Sequence, residues 1–531
     1  MSERLARSAG VIGLATMSSR LLGLVRDVLF AAYFGTRDTM DAFFVASRVP
    51  NLLRDLFAEG AMSAAFVPTF TRELQRAGKP AAWRLGSQVL NALLLLTGVL
   101  VLLGIVFAGP FMHFYAWGYT DTPEKLALAT GMARVTMPFL TLVAVAAALM
   151  GMLNSLRRFF VPSLSPATFN VVIILSLVVL YPILTRQGVP PIYALAIGTV
   201  LGGIAQVLAQ VPLLRREGFR HQWVLDFRDP ALRQVLLLMG PGTLGVAASQ
   251  INMFVNTLLA TTVEGNAVSW LTNAFRLMYL PVGVFGVSVA TAAIPDLARQ
   301  ASEGRPEQMR ATISSGVRLT MMLTVPAAVG LMVLAAPIVE LLLEHGAFDA
   351  LSTAMVSAAL IYYAPGLIGY SIVKLASPSF YAMGDARTPV TVSVLSIGVN
   401  LGLNLALVQL MGFRGLALGT TLAAGVNAGL LLYLLSRRLD GVDGRRIAVA
   451  LVKIAAASTV MGLAAWLTEG WIRDALPATA TLDGFARFGV RAARVFGAIG
   501  AALLTLAAAS HLLGIAEFRQ AVARVTRRLR G

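Results

Sequence analysis

Two stretches of this sequence carry charge where the surrounding residues are apolar. In MSSRLLGLVRDVLFAAYFG (17–35) the charges are Arg20, Arg26 and Asp27. In MDAFFVASRVPNLLRDLFAEGAMSAAF (40–66) they are Asp41, Arg48, Arg54, Asp55 and Glu59. Further along, NAFRLMYLP (273–281) holds Arg276 with no acid within a turn, and Lys374 is a second isolated cation. Arginine dominates the set. Its planar guanidinium grips phosphate through two parallel N–H donors and keeps its charge when partly dehydrated. The chemistry these residues fit is capture of a phosphate-bearing anion, a pyrophosphate above all.

Such charges are costly. An Arg, Lys or Asp at the centre of a membrane helix disfavours insertion by about 2.5 to 3.5 kcal/mol, while a whole fold holds only about 5–15 kcal/mol of stability. Several of them must therefore face a wet cavity, a partner or a ligand. At about 100° per residue, Arg20 shares a helix face with Asp27, Asp41 with Arg48, and Arg48 with Asp55, each pair two turns apart. Arg26 and Arg54 fall to one side of those rows and are expected to point at something other than an acid of their own helix. For Arg20 and Arg48 a second reading stays open: they and the acids neutralise one another and hold helices together.

The elements that position these residues follow from composition. The 531 residues are 57% hydrophobic and 13% charged, against about 25% charged in an average soluble domain. That is too little charge for a water-facing surface, so the fold class is an all-α polytopic membrane protein. The net charge of +17 lies in short loops between apolar runs, which is the positive-inside pattern rather than a nucleic-acid surface. With no cysteine there is neither a disulfide framework nor a thiolate metal site. The opening MSERLARSAG leads into an apolar run without a small-residue cleavage site, and is expected to begin a retained membrane helix.

A span needs roughly 20 apolar residues. Runs of that kind lie near 10–34, 41–71, 85–108, 128–153, 164–184, 192–214, 233–260, 267–296, 311–339, 352–380, 388–410, 412–436, 447–469 and 492–514, which predicts 14 transmembrane helices. The second is long and contains Pro50 and Gly60, so it is expected to bend. Alternate loops collect the basic residues, among them Arg72, Arg76, Lys79, Arg84, Arg215, Arg216, Arg437 and Arg438. The other loops are nearly bare of cations. The basic set is expected to be cytoplasmic, with both termini inside.

Four prolines recur 227 residues apart: Pro68 and Pro295, Pro110 and Pro337, Pro138 and Pro365, Pro162 and Pro389. The offset covers six spans, an even number. It predicts two six-helix bundles, 1–220 and 221–440, related by a pseudo-twofold axis along the membrane normal, with a site at their interface. Two extra C-terminal helices (441–515) and a basic cytoplasmic tail (516–531) complete the chain. This arrangement suits alternating access.

SRLLGLVRD, DAFFVASRVPNLLRDLFAEGAMSAAFVP and FRLMYLPVGVFGVSVATAAIP resemble the MurJ (MviN) lipid II flippase family of the multidrug/oligosaccharidyl-lipid/polysaccharide exporter superfamily. The likeness runs through all fourteen helices. It implies a substrate, the undecaprenyl-pyrophosphate-linked peptidoglycan precursor lipid II, moved from the cytoplasmic to the periplasmic leaflet of the bacterial inner membrane. It also implies that Arg20, Arg26, Arg54 and Arg276 match the family's cavity arginines, with Asp41 and Glu59 its cavity acids and Asp27 beside them. Arg48, Asp55 and Lys374 are secondary candidates. At Asp55 the chain departs from the family, whose members are often basic there. The last helix pair would form a groove for the polyprenyl tail. Some relatives bind sodium in the second half, but a coupling ion has no assignable site in this sequence; no other cofactor or metal is expected. The implied partners are lipid II, membrane lipids and the cell-wall synthesis machinery, with the chain a monomer and no nucleic acid involved.

Other classes fit less well. A lipid-modifying enzyme would need catalytic groups, yet there is no Walker A, HExxH or GxSxG, and His113, His221, His345 and His511 are scattered. A cation-coupled drug antiporter of the same superfamily would favour an acidic, aromatic cavity rather than a basic one. An exporter of another polyprenyl-pyrophosphate-linked glycan stays open. The glycines of GLALGTTLAAGVNAG and the amides Asn400, Asn404 and Asn427 read first as helix-packing features, the amides alternatively as part of an ion site. GVFGVSV could also permit bending near Arg276.

Overall fold

The computed structural model describes residues 3–56, 65–263, 265–477, 482 and 484–519, with the backbone alone at 3–16 and 240–249. The described residues are 86% helix with no strand, so each element satisfies its backbone polar groups internally, as hydrocarbon requires. The chain divides into two compact units, residues 1–269 and 270–531. The first holds α1 (Glu3–Phe34), α2 (Asp38–Asp55), α3 (Val67–Arg76), α4 (Gly78–Val106), α5 (Ala108–Tyr115), α6 (Pro123–Thr136), α7 (Phe139–Ser155), α8 (Phe160–Arg186), α9 (Tyr193–Arg216) and α10 (Pro230–Thr261). The dividing line falls after α10 because that helix packs on α2, α3 and α4. The second unit takes in most of α11 (Ala267–Pro281), then α12 (Val287–Ser302), α13 (Pro306–Val333), α14 (Ala335–Leu342), α15 (Ala350–Tyr363), α16 (Gly366–Ala382), α17 (Arg387–Met411), α18 (Phe413–Arg438), α19 (Gly444–Ala475) and α20 (Gly484–Leu512).

Local chemistry sets the boundaries. Proline occupies the first turn of α6, α10 and α13, where its missing N–H costs nothing. The Asp229 carboxylate caps α10 by accepting from the Ala231 N–H at 2.8 Å, and Asp349 caps α15 through the Ser352 N–H at 2.8 Å. Gly35 ends α1 with φ of 62°, a left-handed conformation that side chains resist.

The repeat in the prolines is also a repeat of elements. Ala108–Tyr115 and Ala335–Leu342 lie 227 residues apart at both ends, as do Pro123–Thr136 and Ala350–Tyr363, and Phe139–Ser155 and Gly366–Ala382. Pro138 and Pro365 stand at the same break in the two copies. There, α15 and α16 meet at 46°. Between α11 and α12 the chain winds as a π-helix over Val282–Gly286, so GVFGVSV does carry a local change in winding.

Among the described residues, ten helical spans are long and apolar enough to cross a membrane, or eleven with α15 and α16 counted as one bent span. The three other expected spans correspond to α1, α2 with α3, and α10. Charge explains the second, since α2 holds Asp38, Asp41, Arg48, Arg54 and Asp55; α1 and α10 are described without the side chains of 3–16 and 240–249. In the second unit α19 and α20 pair and pack on α13. The α17–α18 hairpin shows why glycine recurs: a Cβ on Gly419 would overlap the Asn404 carboxamide oxygen, and one on Gly415 the Leu407 carbonyl. Asn404 donates to Asn400 at 3.2 Å, both fully buried. Gly419→Val should therefore lower stability by about 1–3 kcal/mol through overpacking, read as a drop in the thermal unfolding midpoint in detergent; an unchanged midpoint would mean the hairpin spreads at no cost.

Candidate functional site

The charges of α1 and α2 are settled within the first unit. Arg26 is half-buried and its guanidinium holds Asp27, the next residue, at 2.8 Å through Nη2 and 3.0 Å through Nε. Its Nη1 donates to Asn170 Oδ1 at 3.0 Å, and the Asn170 amide donates onward to the Ser19 carbonyl at 3.2 Å. Arg54 repeats the arrangement with Asp55, at 2.7 Å, and the other Asp55 oxygen accepts from Gln250 at 3.1 Å. Both arginines thus pair with an acid of their own helix, contrary to expectation. Neighbours on a helix diverge by about 100°, but the long arginine stem lets the fork fold back across that angle.

The seven-residue rows do not form ion pairs. Arg48 donates instead to Thr257 Oγ1 at 3.2 Å and to the Met253 thioether at 2.8 Å, both on α10. Seven residues restore the angular position but separate the side chains by about 10 Å along the axis, beyond the reach of a salt bridge. Arg20 is exposed and likewise unpaired with Asp27. Glu59 lies outside the described residues.

Asp41 is 1% exposed and is surrounded by donors. Lys125 Nζ approaches it at 2.9 Å, the Tyr119 hydroxyl donates to it at 2.6 Å, and the Ser269 N–H at 2.6 Å. Lys125 itself is buried and also meets Asp38 at 2.9 Å and Asn266 Oδ1 at 3.0 Å, with the Tyr119 ring 4.3 Å away. Asp41 therefore sits inside a packed cluster rather than on an open wall. In the sequence Lys125 is only a lone cation in a nearly bare loop; nothing there signals its burial.

In the second unit Arg276 is half-buried on α11 and Lys374 exposed on α16. A larger charge cluster escaped sequence reading. Arg491 (4% exposed) contacts Glu340 at 3.0 Å and Glu344 at 2.5 Å, and Arg494 contacts Glu340 at 3.1 Å and Glu469 at 2.6 Å. It ties α20 to α14 and α19. The expected spans end at 339 and resume at 352, leaving Glu340 and Glu344 in a connection, and the last one starts at 492; because α20 begins at Gly484, Arg491 joins Arg494 inside the helix. Beside this helix pair runs an apolar groove of about 510 Å³, lined by Leu323, Pro326 and Gly330 of α13, Met461 of α19 and Ala502 and Leu503 of α20. Among the described residues no three His, Asp or Glu side chains gather as a metal site.

Comparison with known proteins gives one answer. The family profile described as Lipid II flippase MurJ matches residues 30–477. A probable lipid II flippase MurJ of Vibrio cholerae serotype O1 is 33% identical over 511 residues, covering 92% of this chain and 95% of its own. The lipid II flippase MurJ of Burkholderia cenocepacia is 34% identical over 427 residues, covering 80% and 82%. Among solved structures, a lipid II flippase MurJ in an inward closed conformation superposes with a TM-score of 0.76 at 27% identity, over 94% of this chain and 99% of that one. A multidrug resistance MATE family transporter, facing inward, reaches 0.65 at 17% identity over 81% and 98%, a likeness of fold.

The Asp41 cluster yields a direct test. Lys125→Met leaves a buried carboxylate without its cation and should cost about 3–5 kcal/mol, measured by chemical denaturation in detergent. Adding Asp41→Leu should recover most of that loss. If the double variant stays as unstable as the single one, the pair is not what holds α2 to α6.

Proposed function

Since the chain belongs to the lipid II flippase MurJ family, we propose that it moves lipid II across the bacterial inner membrane, the pyrophosphate head held by arginines and the polyprenyl tail left in an apolar groove. The observation that carries this reading is that Arg26, Arg54 and Arg276 stay half-buried on helices of a membrane-spanning chain. A carrier of this kind is a transporter, not an enzyme.

The pairing of Arg26 with Asp27 and of Arg54 with Asp55 supports a specific way of taking up an anion. A half-buried guanidinium left alone pays heavily in desolvation. Holding the adjacent carboxylate, each arginine is satisfied before the substrate arrives. It can then exchange that carboxylate for phosphate oxygens, a bidentate partner of the same charge sign. Arg20, exposed on the same helix, is the first contact for the head, and Arg276 supplies a further guanidinium. Asp27 and Asp55 are the groups displaced; Arg48 steadies α2 against α10, and Asp41 anchors its start. The groove beside α19 and α20 receives the tail.

The finer architecture belongs to the same proposal: 14 spans as two repeated bundles of six, 1–220 and 221–440, with the pair 441–515 and the tail 516–531. Both termini are cytoplasmic, because the arginine-rich connections lie on their side. The chain works as a monomer by alternating access and carries lipid II outward to the cell-wall synthesis machinery. A substrate drives the switch only by binding the two states differently, and a coupling ion such as sodium is a further means of resetting it.

Lipid II translocation in cells depleted of their own flippase tests this at matched membrane levels. The native chain should restore translocation, and Arg26→Ala and Arg276→Ala should each abolish it while remaining folded. Restoration by either variant would remove that arginine from the substrate path. Failure of the native chain would move the substrate to another lipid-linked glycan.

A further inference from the structure

In the first unit α4 and α9 each pack along α7 but hardly touch one another. The cleft left between them has a volume of about 740 Å³, floored by Leu149 of α7 and walled by Leu90 and Leu94 of α4 and Val207 of α9. One end is closed by the last turn of α9 and the segment that follows it, where Arg215, Arg220 and Trp223 line it. That segment is held in place. The Asn91 amide donates to the carbonyls of Gln222 and Val224, both at 2.8 Å, the Gln222 N–H donates to Ser87 Oγ at 3.2 Å, and Phe219 packs on Trp83 with centroids 5.3 Å apart.

The chemistry of this end is that of a membrane interface. Trp223 is 85% exposed and Phe227 57%, as aromatic side chains are where headgroups meet acyl chains. Glu217, the acid nearest in sequence, is occupied by Arg158 at 2.8 Å and Lys79 at 3.4 Å. Arg215 and Arg220 are exposed and have no ion pair among the described residues. The walls are apolar along transmembrane helices, so the occupant needs an apolar chain; the mouth is cationic, so it needs an anionic head.

We propose that this cleft binds an anionic phospholipid from the leaflet at the arginine-rich end of the unit. One acyl chain lies between α4 and α9, the phosphate meets Arg215 and Arg220, and Trp223 stands at the boundary. The site is separate from the arginines assigned to substrate and from the groove beside α19 and α20.

The test uses the full chain in phosphatidylcholine vesicles containing either acyl-brominated phosphatidylglycerol or the same fraction of acyl-brominated phosphatidylcholine. Bromine quenches tryptophan on contact, and subtracting a Trp223→Phe variant isolates the Trp223 signal. Brominated phosphatidylglycerol should be favoured at Trp223 by about fivefold for each arginine, and Arg215→Gln with Arg220→Gln should remove the preference. Val207→Phe, which fills the cleft, should also remove it. Equal quenching by the two lipids overturns the proposal. So does a preference that survives Val207→Phe, since the lipid would then be held by surface charge alone.

Discussion

A guanidinium within a membrane-spanning helix must be paired before anything else can happen, and the structure answers that constraint residue by residue. Arg26 and Arg54 take the carboxylate next in sequence. Arg48 finds a hydroxyl and a thioether on α10. Arg491 and Arg494 share three glutamates. Through Asn170 and Gln250 the first two pairs also reach a neighbouring helix, so each arrangement ties one helix to another. The penalty for breaking such a pair exceeds its net benefit when intact, which makes these contacts specific rather than simply stabilising.

Two kinds of pair result. The pair of Asp41 with Lys125 is buried on nearly all sides, and that of Arg494 with Glu469 keeps only 12% and 9% of the side chains exposed; exchange of partners there would strand a charge. Those of Arg26 and Arg54 keep 20% and 39% of the side chain exposed. Water can reach them, which is the property that the proposed exchange of carboxylate for phosphate requires. In the proposed mechanism, the distinction between a tie and a binding group comes down to solvent access at one edge of the guanidinium.

Apolar surface is organised on the same principle of partial closure. In the first unit the α4–α9 cleft, and in the second the groove between α13, α19 and α20, are spaces where two helices pack on a third without meeting fully. Small residues set such distances: Gly330 and Ala465 line the second groove, just as Gly415 and Gly419 let α17 and α18 close. Where packing stops short, a chain-like molecule can lie.

The sequence alone determined the all-helical membrane class and the 227-residue repeat, because hydropathy and proline placement are properties of the residues themselves. The element boundaries of α5–α7 and α14–α16 follow the repeat at the same offset, so the offset was legible in the prolines, although the breaks that divide each expected span were not. Nor was partner choice. Helical angles put Arg48 on a face with Asp41 and Asp55, but axial distance and the approach of α10 gave it to Thr257 and Met253. The burial of Lys125 and the Arg491 cluster likewise depended on elements brought from far along the chain. Periodicity fixes which way a side chain leaves its helix; only the packing of other helices decides what waits for it there.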